Sequence, residues 1–172
     1  MTTPAVFISY SHKDEAWKDR LVSHLGVLQR EGLLDLWDDR RIDGGEDWKK
    51  EIEEAMEKAN VSILLVSRHF LTSNFILEEE VPRLMESREK EGVCIFPIIA
   101  EPCAWKQVKW LSCMNLRPKD GKPLSGGNKH QIDTDLAAIA EEVAVIIKRV
   151  PEDSSDRGHA PLPPEKISLA KL

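Results

Sequence analysis

Three consecutive glutamates, Glu78, Glu79 and Glu80, run directly into Val81 and Pro82 and are the residues of this chain best placed to do chemistry. Proline fits the first turn of a helix but not its interior, so the carboxylates are expected at or just before a helix N-terminus. There the unpaired N–H groups favour an ionised carboxylate. A fixed carboxylate anion stabilises positive charge developing at a reacting centre, as on the oxocarbenium-like sugar of glycoside cleavage. At about 100° per residue, the apolar face of Leu77, Val81, Leu84 and Met85 leaves Glu79 nearly opposite, in water, with Glu78 and Glu80 on its flanks. The competing reading is structural: the three glutamates cap the helix and keep it soluble.

The glutamates close one of three segments in which an apolar, strand-like run ends in polar residues. The first is Val6-Phe7-Ile8-Ser9-Tyr10-Ser11-His12-Lys13-Asp14. The second runs from Leu36 through Arg40, Gly44 and Gly45 to Trp48, and the third from Ser67 to Glu80. Each reads as a buried strand delivering polar groups to the rim of a sheet. In open α/β sheets that rim is where ligands bind.

Periodicity shows which elements must hold these loops. Strand-like runs recur at Val6–Tyr10, Leu33–Trp37, Val61–Val66 and Val93–Ile99, separated by stretches of helical period. That alternation predicts an α/β fold whose parallel sheet carries helices on both faces. Trp17, Leu21, Leu25 and Leu28 mark the inner face of a first helix that should start at Asp14 and stop at Gly32. A second helix is expected over Trp48 to Lys58, with Ile52, Ala55, Met56 and Ala59 inward and its Glu and Lys residues forming a solvated face. A third should cover Val81 to Lys90. Beyond Ile99 irregular chain, a short helix and a fifth strand near Leu111–Leu116 are expected. A last helix, reaching Val150, is set out by Ile132, Leu136, Ile139, Ala140, Val143, Ile146 and Ile147.

The 172 residues suit one domain, taken as residues 1–150. From Pro151 the composition turns charged and Ser-rich and holds four of the ten prolines, which cannot build a core. Residues 151–172 are therefore expected to be a linker or tail. A formal charge of -6 offers no positive field for a nucleic-acid backbone. Cys94, Cys103 and Cys113 form no disulfide framework and no Cys-x-x-Cys pair, and the five histidines share no metal-ligand spacing along the chain, so no metal site is expected. Sparse cysteine, no targeting segment and no apolar run near the roughly 18 residues of a membrane span predict a soluble, cytoplasmic chain.

Taken together, Phe7-Ile8-Ser9-Tyr10-Ser11, the Arg40–Trp48 loop with its Asp43-Gly44-Gly45 turn, and the segment from Ser73 to Pro82 resemble the Toll/interleukin-1 receptor (TIR) domain family, its bacterial members in particular. The resemblance spans about Ala5 to Val150. It implies a flavodoxin-like fold with a five-stranded parallel sheet in the order 2-1-3-4-5. Family members either recruit other such domains or cleave the bond between nicotinamide and ribose in NAD+. What the resemblance implies here is an NAD+ glycohydrolase acting in antiphage immune signalling after self-association, with NAD+ as substrate and no resident cofactor. The alternative is a scaffold that works by TIR–TIR contact alone.

The resemblance also implies roles for particular residues. In the bacterial pattern the catalytic glutamate is followed by an apolar residue and proline, which selects Glu80; the plant and animal spacing falls one residue earlier, on Glu79. Ser9, Tyr10 and Ser11 match residues that line the nucleotide cleft. The Arg40–Trp48 segment resembles the family's BB loop, which covers substrate and docks on the next subunit, making Arg40, Gly45 and Trp48 substrate-binding candidates. Active relatives often place an aromatic ring four residues before the glutamate to stack on nicotinamide. That position is Ile76 here, leaving Phe75 or Phe70 to supply the ring. Residues 162–172 resemble the entry into nucleotide-binding STAND modules of bacterial defence proteins, so sensor domains in a longer protein are expected partners.

Other chemistries fail on their motifs. Gly121-Lys122 is followed by Pro123 rather than the Ser or Thr of a phosphate loop, and no Gly-x-Gly-x-x-Gly exists to hold a dinucleotide as a redox cofactor. A phosphoacceptor receiver domain shares the fold class but needs acidic residues where this chain has Ser9-Tyr10-Ser11. A nucleoside deoxyribosyltransferase relative would share the glutamate-assisted chemistry and is separated by offering free nucleosides.

Overall fold

The structure, a computed structural model, describes residues 3–37 and 48–149. Arg40, Gly44, Gly45 and the segment 151–172 lie outside the described residues, so the expectations placed on them have no structural counterpart here.

Strands β1 (Ala5–Ser9), β2 (Asp35–Trp37), β3 (Val61–Val66) and β4 (Cys94–Ile99) pair in parallel in the order β2-β1-β3-β4. Every residue of β3 and β4 is buried, as expected of parallel strands covered on both faces. Because successive side chains alternate across a sheet, Val6, Ile8, Ile63 and Leu65 pack under α1 (Glu15–Arg30) and α5 (Lys129–Lys148). Phe7, Leu64, Val66 and Ile99 pack under α2 (Trp48–Lys58) and α3 (Val81–Glu91). The inward positions read from the periodicity of α2 and α5 are all buried.

The helix ends follow from local chemistry. Gly32 adopts φ 75 and closes α1, with Leu33 N–H donating to Leu28 O at 2.9 Å and Gly32 N–H to Gln29 O at 3.0 Å. This is the paired bonding of a Schellman cap, which needs a left-handed residue at this point. At the start of α5, Asn128 Oδ1 accepts from Gln131 N–H at 2.8 Å.

The expected fifth strand near Leu111–Leu116 is replaced by a short helix, α4 (Lys109–Ser112), which buries Leu111, and by a single parallel bridge between Ile98 and Arg117. Arg117 N–H donates to Pro97 O at 3.0 Å and its carbonyl accepts from Ile99 N–H at 2.7 Å. The next residue, Pro118, has no N–H to continue a ladder. The Arg117 side chain is instead anchored to Glu142 Oε2 of α5 at 2.6 Å. One residue thus fills the fifth place of the sheet.

Gly121, at φ 72, packs against the Trp105 ring so closely that a Cβ there would stand 2.3 Å from Trp105 Cζ2. Gly121→Ala is expected to lower stability by about 1–3 kcal/mol through this overlap and the left-handed backbone. A urea melt with an unchanged m-value measures the loss.

Candidate functional site

Ser9 is the last residue of β1, and its place in the strand's alternation turns it toward the face that α2 and α3 cover. Its hydroxyl donates to Glu80 Oε1 at 2.7 Å. Both residues are buried, Ser9 with 1% and Glu80 with 6% of its surface exposed. The sheet order reverses direction between β1 and β3, and the carboxyl ends of strands at such a reversal are where open α/β sheets bind ligands.

A π-turn governs how the three glutamates face. The helical chain carrying them starts at Asn74, after Ser73, whose Oγ accepts from Ile76 N–H at 3.3 Å. The glutamates therefore lie inside a continuous helical segment, which corrects the expectation that they stand at or before its N-terminus. Ile76–Glu80 forms one π-helical turn, closed by Val81 N–H donating to the Ile76 carbonyl. Ile76 and Val81 are both buried, yet five residues of ordinary helix would set them about 140° apart. The wider i→i+5 turn brings both inward. Pro82, with no N–H to place in either register, follows at once. The wheel drawn at α-helical pitch misjudged these residues for this reason. Glu78 is the exposed one, Glu79 is half-buried and Glu80 is buried.

The remaining sequence-predicted residues are dispersed. Tyr10 is buried on the opposite face, its ring centroid 6.2 Å from that of His12 and 5.3 Å from Lys18 Nζ. Ser11 is half-buried and caps a short 3-10 turn, its Oγ accepting from Lys13 N–H at 3.3 Å. Phe70 is fully enclosed in the core beneath α2 and α3, which leaves no ring face for a ligand, whereas Phe75 is half-buried. Ile76 is buried in the same core. Trp48 opens α2.

Several further polar groups, some of them inside the rim segments read from the sequence, were not among the expected site residues. Ser67, just past β3, donates to Asp14 Oδ2 and accepts from Phe70 N–H at 3.1 Å, all within the core. Asp14 precedes α1 as expected but forms no side-chain cap bond. Donor atoms of Asp14, His69 and Glu101 lie within 4.8 Å of one another, a nitrogen and two carboxylate oxygens able to hold a divalent cation together. Spacing along the chain cannot reveal this group, because it joins the ends of three strands. The available signal was Glu101, the first polar residue after the apolar run of β4 and Ala100. Lys18, wholly buried, pairs with Asp19 Oδ1 at 3.2 Å.

A cavity of about 500 Å³ lies beyond β4, lined by Ile99, Pro102, Cys103, Trp105, Lys106 and Pro123 among others, and includes none of the expected site residues. Burial pushes the Cys103 thiol up, against a smaller opposing effect of a backbone hydrogen bond at Trp105, so it is a poor nucleophile.

A parallel α/β sheet in the order β2-β1-β3-β4 with helices on both faces defines a flavodoxin-like domain. The family profile for the TIR domain matches residues 6–126, and the chain belongs to the TIR domain family. It is similar to an uncharacterized protein, y4lF, of Sinorhizobium fredii (strain NBRC 101917 / NGR234), with 34% identity over 152 residues covering 88% of this chain and 46% of that protein. It is also similar to the disease resistance protein RPV1 of Vitis rotundifolia, with 33% identity over 99 residues covering 56% of this chain and 7% of that protein. The chain thus spans less than half the length of either relative. Among solved structures, a prokaryotic SEFIR domain superposes with a TM-score of 0.51 at 18% identity over 87% of this chain and 95% of that one, a likeness of fold. TIR domains are signalling modules that associate with one another. Among the described residues no helix is long and apolar enough to cross a membrane.

Proposed function

We propose that this TIR domain cleaves the nicotinamide–ribose bond of NAD+, with Glu80 as the catalytic carboxylate. The observation that carries the reading is that Glu80, alone of the three glutamates, is buried at the sheet reversal and bonded to Ser9. In the reaction the bond between ribose C1′ and the pyridinium nitrogen breaks, and its electron pair leaves with neutral nicotinamide. Positive charge spreads over C1′ and the ring oxygen, where a fixed carboxylate stabilises it. Water then bonds to C1′ and releases a proton, giving ADP-ribose. Arg40, Gly45 and Trp48 enter as substrate contacts through the family resemblance, with Phe75 the ring that retains exposure.

In this reading the domain works in a cytosolic defence protein whose sensor region brings copies together, one BB loop completing the cleft of its neighbour. Tethering the domain on a scaffold is expected to raise NAD+ turnover per molecule; turnover independent of clustering would remove assembly as the switch. The rival reading, a scaffold without catalysis, draws on Ile76 standing where active relatives carry an aromatic. NAD+ loss by purified, clustered protein decides between them. Loss that disappears in Glu80→Ala supports cleavage by Glu80, no loss in the wild type supports the scaffold, and equal loss in both removes Glu80 from the catalytic role.

A further inference from the structure

We infer that Ser9 is a positioning residue for Glu80 rather than a contact for substrate; its effect on turnover rests on the glycosidic reading above, whereas its effect on the carboxylate does not. Ser9 exposes 1% of its surface, so almost none of it is open to a ligand in the cleft. Its hydroxyl is committed to Glu80 Oε1 at 2.7 Å, across 71 residues of sequence, and its backbone is fixed in β1 by pairing with Leu64 of β3. A glutamate carboxylate hangs on three rotatable bonds, each of which must be set for it to hold one direction. The Ser9 hydroxyl anchors one of the carboxylate oxygens from an inner strand of the sheet and so fixes the direction of that oxygen.

The hydroxyl is suited to this task. It is small enough for the closely packed end of β1, and it donates without adding a charge that would neutralise the anion. A lysine or arginine there would hold the carboxylate equally well but would oppose its stabilisation of a cationic sugar. Displacing a catalytic group by about 1 Å costs up to roughly a hundredfold in rate, so the loss of one buried hydrogen bond should appear in kcat.

The test compares Ser9→Ala, Ser9→Thr and Ser9→Cys in the clustered full chain, with NAD+ as substrate. Ser9→Ala is expected to lower kcat about ten- to a hundredfold with KM nearly unchanged. Ser9→Thr, which keeps a hydroxyl, should recover most of the rate, and Ser9→Cys, with a weaker donor, should fall between. A rise in KM at constant kcat would make Ser9 a substrate contact and overturn the proposal. An independent readout is the carbon-13 resonance of the Glu80 carboxyl, assigned with Glu80→Gln. It should move in Ser9→Ala while those of Glu78 and Glu79 stay in place, and an unmoved Glu80 signal overturns the proposal. Should the wild type show no turnover, the glycosidic reading fails and the resonance still decides the role of Ser9.

Discussion

Glu80→Gln is expected to lower NAD+ turnover by about two to three orders of magnitude, the range seen when one electrostatic stabiliser of a transition state is removed. The substitution keeps the shape of the side chain and an acceptor oxygen for the Ser9 hydroxyl, so the buried contact survives and the thermal midpoint should stay close to that of the wild type. Only the negative charge is lost, and charge is what an oxocarbenium-like sugar requires. Glu78→Gln, on the exposed side of the π-turn, should leave turnover intact. Glu79→Gln is the sharper control, because the family's other spacing points to that residue. If Glu79→Gln abolished turnover and Glu80→Gln did not, the burial of Glu80 would be structural and the assigned register wrong. Discontinuous measurement of NAD+ and nicotinamide under clustered conditions reads all three.

The second large effect concerns stability. Phe70→Ala should destabilise the domain by about 3–5 kcal/mol, the usual cost of emptying a phenylalanine-sized space in a core. Against a total of about 5–15 kcal/mol that is a large fraction, and for a domain of this size it would lower the midpoint by roughly 6–20 °C. The ring has no exposed surface and packs in the cluster that includes Phe7, Ile76 and Leu84. Its backbone N–H also holds Ser67 Oγ, which in turn holds Asp14. The neighbouring half-buried Phe75 should behave differently: Phe75→Ala is expected to cost little stability and to raise KM for NAD+. Thermal melts with steady-state kinetics separate the two, and a Phe70→Ala variant of normal stability with a raised KM would return Phe70 to the ligand site.

How far this fold was legible depends on the range of the interactions. The faces of α2 and α5 and the span of β3 were readable because a buried face repeats every 3.6 or 2 residues and each repeat is local. Residues after Ile99 were harder. The segment near Leu111 is apolar enough for a strand, but an apolar run of that length serves a short helix equally well, and Pro118 closes the ladder after Arg117.

For the site, the sequence by itself determined the rim, the polar ends of its strands and the stretch from Ser73 to Pro82 that holds the carboxylates. It also limited the choice to three adjacent glutamates. The tertiary structure decided which of them turns inward. Ile76 and Val81 both find places in the core beneath the sheet, and the helix between them widens by one residue to satisfy both, carrying Glu80 to Ser9 and leaving Glu78 in water. A helical wheel assumes a constant pitch, and the π-turn between these two core positions breaks that assumption. The same holds for Asp14, Ser67, His69 and Glu101, which come together only because parallel strands bring the ends of separate segments to one edge.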